Sequence, residues 1–123
     1  MRSFWALIRL QLIAVIVLAA GLSLSARAEP LAAEHAAGQA VYVKWCAPCH
    51  APGVTHPGTH ALMTKYDGIK SGVLLEWKDL PAVTVKYWVR HGISVMPQFR
   101  KTEISDAELE ELARYLARNT PGG

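Results

Sequence analysis

The sequence predicts an all-α domain of a few short helices gathered around an organising centre, and three observations predict it. The first is an amphipathic C-terminal segment opened by a capping box, Ser105-Asp106-Ala107-Glu108, with Leu109, Leu112, Ala113 and Leu116 as one apolar stripe behind it. The second is a pair of further helical stretches, Leu31 to Trp45 and a run between Leu80-Pro81 and Gly92. The third is the amount of loop between them, rich in Pro, Gly, Thr and His and lacking hydrophobic period, which a small core does not order by itself.

The chain has 123 residues, room for one domain. Its start reads as a leader: Arg2 and Arg9 without an acid, an apolar run Leu10 to Leu22 broken only by Gln11, and a small-x-small site at Ala26-Arg27-Ala28. The expectation is a signal peptide over residues 1–28, cleaved after Ala28, and a single domain over 29–123. The apolar run is shorter than the roughly 20 residues of a spanning helix, so an uncleaved anchor is the weaker reading and no stable membrane insertion is expected after cleavage. Without the leader the chain holds ten basic and ten acidic residues. That balance gives no reason to expect a nucleic-acid partner. Along the chain the charges are uneven: Lys65 to Lys101 is mainly basic and the part from Glu103 mainly acidic, which predicts either a polarised surface able to steer a partner or merely an ordinary solvated surface.

Taken in order, Leu31 to Trp45 is rich in Ala, Glu, Gln and Lys, with Val41, Tyr42 and Trp45 at helical spacing. Gly38 inside it costs about 1 kcal/mol relative to Ala, which suggests either a weak helix or a place where another helix approaches closely. Ala47 to Gly58 reads as an irregular loop, Ala61 to Lys65 as a short turn, and Asp67-Gly68 and Ser71-Gly72 as turns ahead of Val73 to Trp77. Pro81 suits a first helical turn and Gly92 a stop, which favours a helix of roughly ten residues over a strand for the apolar run between them. The last helix ends near Asn119-Thr120-Pro121.

The chemistry sits in Cys46-Ala47-Pro48-Cys49-His50, and these are the only two cysteines. CxxCH is the spacing that lets two thiols bond the two vinyl groups of one haem while the adjacent histidine reaches the iron. A thioredoxin-like dithiol would need a βαβ pattern, and a zinc site two further ligands. A second axial ligand is then sought downstream, because a thioether favours reduced iron and gives a six-coordinate electron carrier. Met96, between the helix stop at Gly92 and Pro97, is the candidate; Met63 reads as core filler, and His91 competes as a ligand but reads better as a surface residue. The haem-binding set is therefore Cys46, Cys49, His50 and Met96, with His50 and Met96 on the metal.

On these residues the chain resembles the class I cytochrome c family over nearly all of residues 29–123. Gly38 and Tyr42 ahead of the CxxCH, the Met96-Pro97 loop, and Leu112 with Tyr115 on the last helix match that family's pattern. The resemblance implies first and last helices crossing at Gly38 and a proline carbonyl accepting the proton of the ligand histidine, with Pro57, or in its place Pro52, in that role. It also implies Trp77, and less so Trp88 and Tyr66, as pocket walls or partners of a haem propionate. Leu80-Pro81 through Phe99 is similar to the small cytochrome subunits of p-cresol methylhydroxylase-type flavin dehydrogenases. The function expected is one-electron transfer by a periplasmic protein carrying one covalently attached haem c, not an enzyme in itself, with redox proteins, among them a flavin dehydrogenase subunit, as partners. The alternatives are a haem enzyme or gas sensor with an open sixth position, and a haem-free CxxC redox or metal module.

Overall fold

The computed structural model describes residues 29–122; the expected signal peptide and its cleavage site lie outside the described residues. Helix α1 spans Glu29–Val41, a π-helical turn Tyr42–Cys46 follows directly, and α2 adds Ala47–His50. Pro48 has no N–H to give the preceding turn, and just before it the ladder shifts register, with the Ala47 N–H donating to the Tyr42 carbonyl. The CxxCH therefore lies on a helical path, not at the start of an irregular loop. The irregular stretch is only Ala51 to His56, and helix α3, Pro57–Tyr66, is a full ten residues where a short turn was expected.

Helix α3 is hard to see in sequence because its opening, Pro57-Gly58-Thr59-His60, has loop composition. Its order comes from tertiary contact. The Thr59 hydroxyl, wholly buried, donates to the Ala51 carbonyl at 2.8 Å, and Asp67 stops the helix in the left-handed region at φ 43°. A 3-10 turn, Leu74–Glu76, precedes α4 at Ala82–His91 and α5 at Asp106–Ala117. These last two agree with the expected boundaries: Pro81 caps α4, Gly92 ends it at φ 70°, and the Ser105–Glu108 box is fully formed.

The core from His35 onward is the apolar face of α5 (Leu109, Leu112, Leu116) against Val85 and Val89 of α4 and Val41 and Tyr42 of the first helical path. Leu80, Ile104 and Leu112 are at most 2 % exposed. The end of the chain is stitched back to the middle, because the Thr120 hydroxyl accepts from the Leu80 N–H at 2.9 Å and the Asn119 amide donates to the Leu75 carbonyl at 2.8 Å. Gly38 stands where α1 meets α5. A Cβ there would collide with the Glu111 carbonyl oxygen and lie 2.6 Å from the Tyr115 Cβ. The rings of Tyr42 and Tyr115 fill the crossing with centroids 5.8 Å apart. This is the all-α class I cytochrome c arrangement. Among the described residues no helix is long and apolar enough to cross a membrane.

The capping box gives a pH-dependent prediction. The Glu108 carboxylate accepts from the Ser105 hydroxyl at 2.7 Å and from its backbone N–H at 2.8 Å, and these bonds hold its pKa below the ordinary carboxylate range. A carboxyl with a depressed folded pKa stabilises fully above its unfolded pKa, and that contribution is lost as pH falls through the folded value. Ser105→Ala is expected to cost about 1 kcal/mol near neutral pH. In denaturant unfolding, the gap between wild type and variant should narrow in acid, as pH falls through the depressed folded pKa of Glu108 and the carboxylate is lost in both proteins. A gap that widens in acid would contradict the assignment.

Candidate haem-binding site

Cys46, Cys49 and His50 follow one another along the π-helical turn and α2, so both thiols and the imidazole share one short helical stretch. Neither cysteine is in a disulfide; Cys46 is partly buried and Cys49 exposed. Burial, with a smaller push from Cys49, raises the Cys46 thiol to about 12. A buried thiol of this kind is protonated and unreactive until a partner group engages it. Burial also lowers the His50 pKa, which leaves the imidazole neutral with a lone pair to give.

The neighbours of His50 explain its placement. The Tyr42 hydroxyl donates to the His50 carbonyl at 2.8 Å, so the tyrosine that fills the helix crossing also fixes the end of α2. Gly58, in the first turn of α3, lies against the ring. A Cβ on it would come within 2.7 Å of His50 Cε1 and 2.9 Å of Nδ1. Sequence reading missed both roles, since the only signal was a glycine in a stretch already full of turn residues. The expected proline acceptor does not materialise: His50 Nδ1 is buried without a hydrogen-bond partner, so neither Pro57 nor Pro52 accepts from it. The Pro48 carbonyl lies 3.1 Å from Nδ1 of another ring, that of His56.

Met96 stands on a separate loop that packs on the same core as Cys46. Two mutual backbone bonds, Ile93 N–H to Met96 carbonyl at 3.1 Å and Met96 N–H to Ile93 carbonyl at 2.9 Å, close a tight turn with Ser94 at φ 53°. Gly92 is required beside it, because a Cβ there would lie 2.7 Å from the Met96 carbonyl oxygen. An aromatic contact joins this loop to the CxxCH segment: Trp45, next to Cys46, meets Phe99 edge to face at 6.0 Å.

Other expectations are revised. Met63 is 43 % exposed and not core filler; its side chain lies over Gly72. The buried Trp77 donates its indole N–H to the Ser71 carbonyl at 2.6 Å, so that group is engaged within the chain, and Tyr66 packs on it edge to face. Trp88 is half-buried against the core. The surface reading of His91 is kept: it is exposed, stacks on Tyr87 and has Nδ1 at 2.8 Å from the Tyr87 carbonyl. Part of the sequence polarity is neutralised in three dimensions: Lys86 pairs with Glu110, Arg90 and Lys101 with Asp106, and Arg100 with Glu103. Three of the trailing acids thus sit on bases that precede them, while Glu108 bonds Ser105 and Glu111 pairs with the following Arg114.

Whether these residues suit a haem can be judged from the buried polar atoms. Among the described residues, two buried side-chain polar atoms have no partner, Trp45 Nε1 and His50 Nδ1, and they bracket the two cysteines. Two unpaired thiols, a neutral imidazole and flanking unsatisfied groups are a donor set incomplete as bare polypeptide, and they fit the group. No cluster of three or more His, Cys, Asp or Glu able to hold a metal ion occurs among the described residues.

Comparison with known proteins agrees. The family model described as cytochrome c oxidase, cbb3-type, subunit III matches residues 33–116. The cytochrome c subunit of 4-cresol dehydrogenase (hydroxylating) from Pseudomonas putida is 30% identical over 112 residues, 91% of this chain and 86% of that subunit. No solved structure matches. With the glycine-mediated helix crossing, a CxxCH held on a helical turn and a family match that runs from α1 into α5, the chain belongs to the cytochrome c family.

Proposed function

We propose that this cytochrome carries one haem c, bound covalently through Cys46 and Cys49 with His50 and Met96 as axial ligands, and moves single electrons from a dehydrogenase to a downstream acceptor in the periplasm. The observation that carries the reading is the CxxCH stretch itself, with two unpaired thiols and a neutral, packed imidazole on one short helical path. Bound haem supplies the one-electron couple of its iron. The chain's residues do the rest. Gly58 and the Tyr42 bond seat His50 so that Nδ1 faces the backbone of α3 and Nε2 is the nitrogen left to ligate. The closed turn at Ile93–Met96 presents the thioether on a rigid loop, and fixed ligands keep reorganisation on electron transfer small.

The donor is proposed from the relative, which is the cytochrome subunit of a dehydrogenase, and a flavoprotein of that kind is the partner this reading favours. The mature chain is charge-balanced, and the basic residues around the Met96 loop are paired within the molecule, so docking relies on shape and apolar contact more than on long-range steering. Chain produced with periplasmic c-type maturation should have the mass of residues 29–123 plus a single haem. It should also show a low-spin reduced spectrum and, when oxidised, the long-wavelength sulfur-to-iron band. A Cys46→Ser, Cys49→Ser double variant should lose the covalent haem. A bare polypeptide mass would sink the proposal, and a high-spin spectrum would favour the sensor or enzyme alternative.

A further inference from the structure

We infer that Arg90 is a positioning residue for the Met96 loop, acting through Phe99 to set how often the loop opens. The inference rests on the reading of Met96 as an axial ligand. The loop leaves α4 at Gly92, turns at Ile93–Met96 and returns to α4 at Phe99, whose N–H donates to the Val89 carbonyl at 2.8 Å. The Phe99 carbonyl accepts from Arg90 Nη1 at 3.1 Å, while Arg90 Nη2 bonds Asp106 at 2.9 Å. Consecutive residues of α4 thus grip both backbone groups of Phe99, and the guanidinium carries the grip on to the first turn of α5.

The geometry suits an arginine. Its two terminal nitrogens serve two acceptors in a fixed fork, which the single ammonium of lysine cannot reproduce. The Arg90 side chain is only 18% exposed, less than any other basic member of the ion pairs in this structure, so its bonds are screened least. Lys101 also reaches Asp106, at 2.7 Å, but its side chain is 74% exposed and it touches no backbone group of the loop. Phe99 is three residues from Met96 and its ring packs on Trp45 beside Cys46. Releasing its carbonyl therefore frees the loop at the end opposite the Gly92 turn.

The opening can be read with free imidazole, which competes for oxidised iron only in molecules whose Met96 loop is open; its apparent affinity scales with that open fraction. The ferric holoprotein is titrated with imidazole and followed by loss of the sulfur-to-iron band. Removing a partly buried hydrogen bond from a charged donor should raise the open population about tenfold, so Arg90→Gln should bind imidazole about tenfold more tightly. Arg90→Lys should recover part of the change. Lys86→Gln, which removes an exposed α4 to α5 ion pair away from the loop, should stay within about twofold of wild type. Should Arg90→Gln fail to load haem, Asp106→Ala withdraws the guanidinium's second partner and should shift the affinity in the same direction. Unchanged imidazole affinity in Arg90→Gln, or in Asp106→Ala in its place, would overturn the inference, and so would an equal shift in Lys86→Gln. A wild type without the sulfur-to-iron band would instead overturn the Met96 reading beneath it.

Discussion

Gly38→Ala is expected to destabilise the haem-loaded protein by about 3 kcal/mol, because the new methyl meets backbone it cannot displace cheaply. At an exposed helical position the same exchange gains about 1 kcal/mol, since Ala has the better propensity and the unfolded chain loses freedom. Here the sign reverses. The methyl would overlap the Glu111 carbonyl oxygen, with the Glu111 carbonyl carbon at 2.7 Å and the Tyr115 Cβ at 2.6 Å. Two of these three atoms are main chain in the middle of α5, so relief requires moving the helix and opening the packing of Leu112, which is wholly buried. For a domain of this size the melting temperature should fall by roughly 10–20 °C. Gln39→Ala, one position along and exposed, should leave it almost unchanged. A Gly38→Ala protein that melts at or above wild type would show that α1 does not approach α5 as described.

What could be read from the sequence, and what could not, divides by the range of the interaction. Helix α5 is legible because its signals are local: a capping box and a leucine stripe within twelve residues. Helix α4 is legible from punctuation, with Pro81 before it and Gly92 after it. The CxxCH and the crossing glycine are legible as spacing. Helix α3 is not, because Pro57 and Gly58 argue locally for a loop, while Thr59 and the packing against His50 and Gly72 hold the helix from outside.

The site shows the same division. Tyr42 stands out as a helix-crossing aromatic, yet its bond to the His50 carbonyl becomes visible only when the π-helical turn brings residues eight apart into reach. Arg90 looks like one more surface charge until Phe99 folds back over it. Charge order along the chain was the weakest guide. A basic stretch followed by an acidic one reads as polarity, but two elements packed side by side turn that order into mutual neutralisation.

Met96→Ala should abolish the sulfur-to-iron band of the oxidised protein and lower the reduction potential by a few tenths of a volt, within the roughly 0.8 V over which ligation sets haem potentials. The direction follows from the proposed ligation: a neutral, polarizable thioether favours reduced iron, and its loss would remove that preference. The substitution isolates the sulfur, because the turn that carries Met96 is closed by the backbone groups of Ile93 and Met96 and needs nothing from the side chain. Gly92, Phe99 and Arg90 keep their bonds, and haem retention should be unchanged because Cys46, Cys49 and His50 are untouched. Two comparisons make the result specific. Met63→Ala should keep band and potential, since Met63, on α3, lies against Gly72. His91→Ala should keep them too, since His91 stacks on Tyr87 with Nδ1 at that residue's carbonyl. If Met96→Ala retained the band and Met63→Ala lost it, the axial sulfur would belong to α3, and the loop held by Arg90 would serve only to pack the domain.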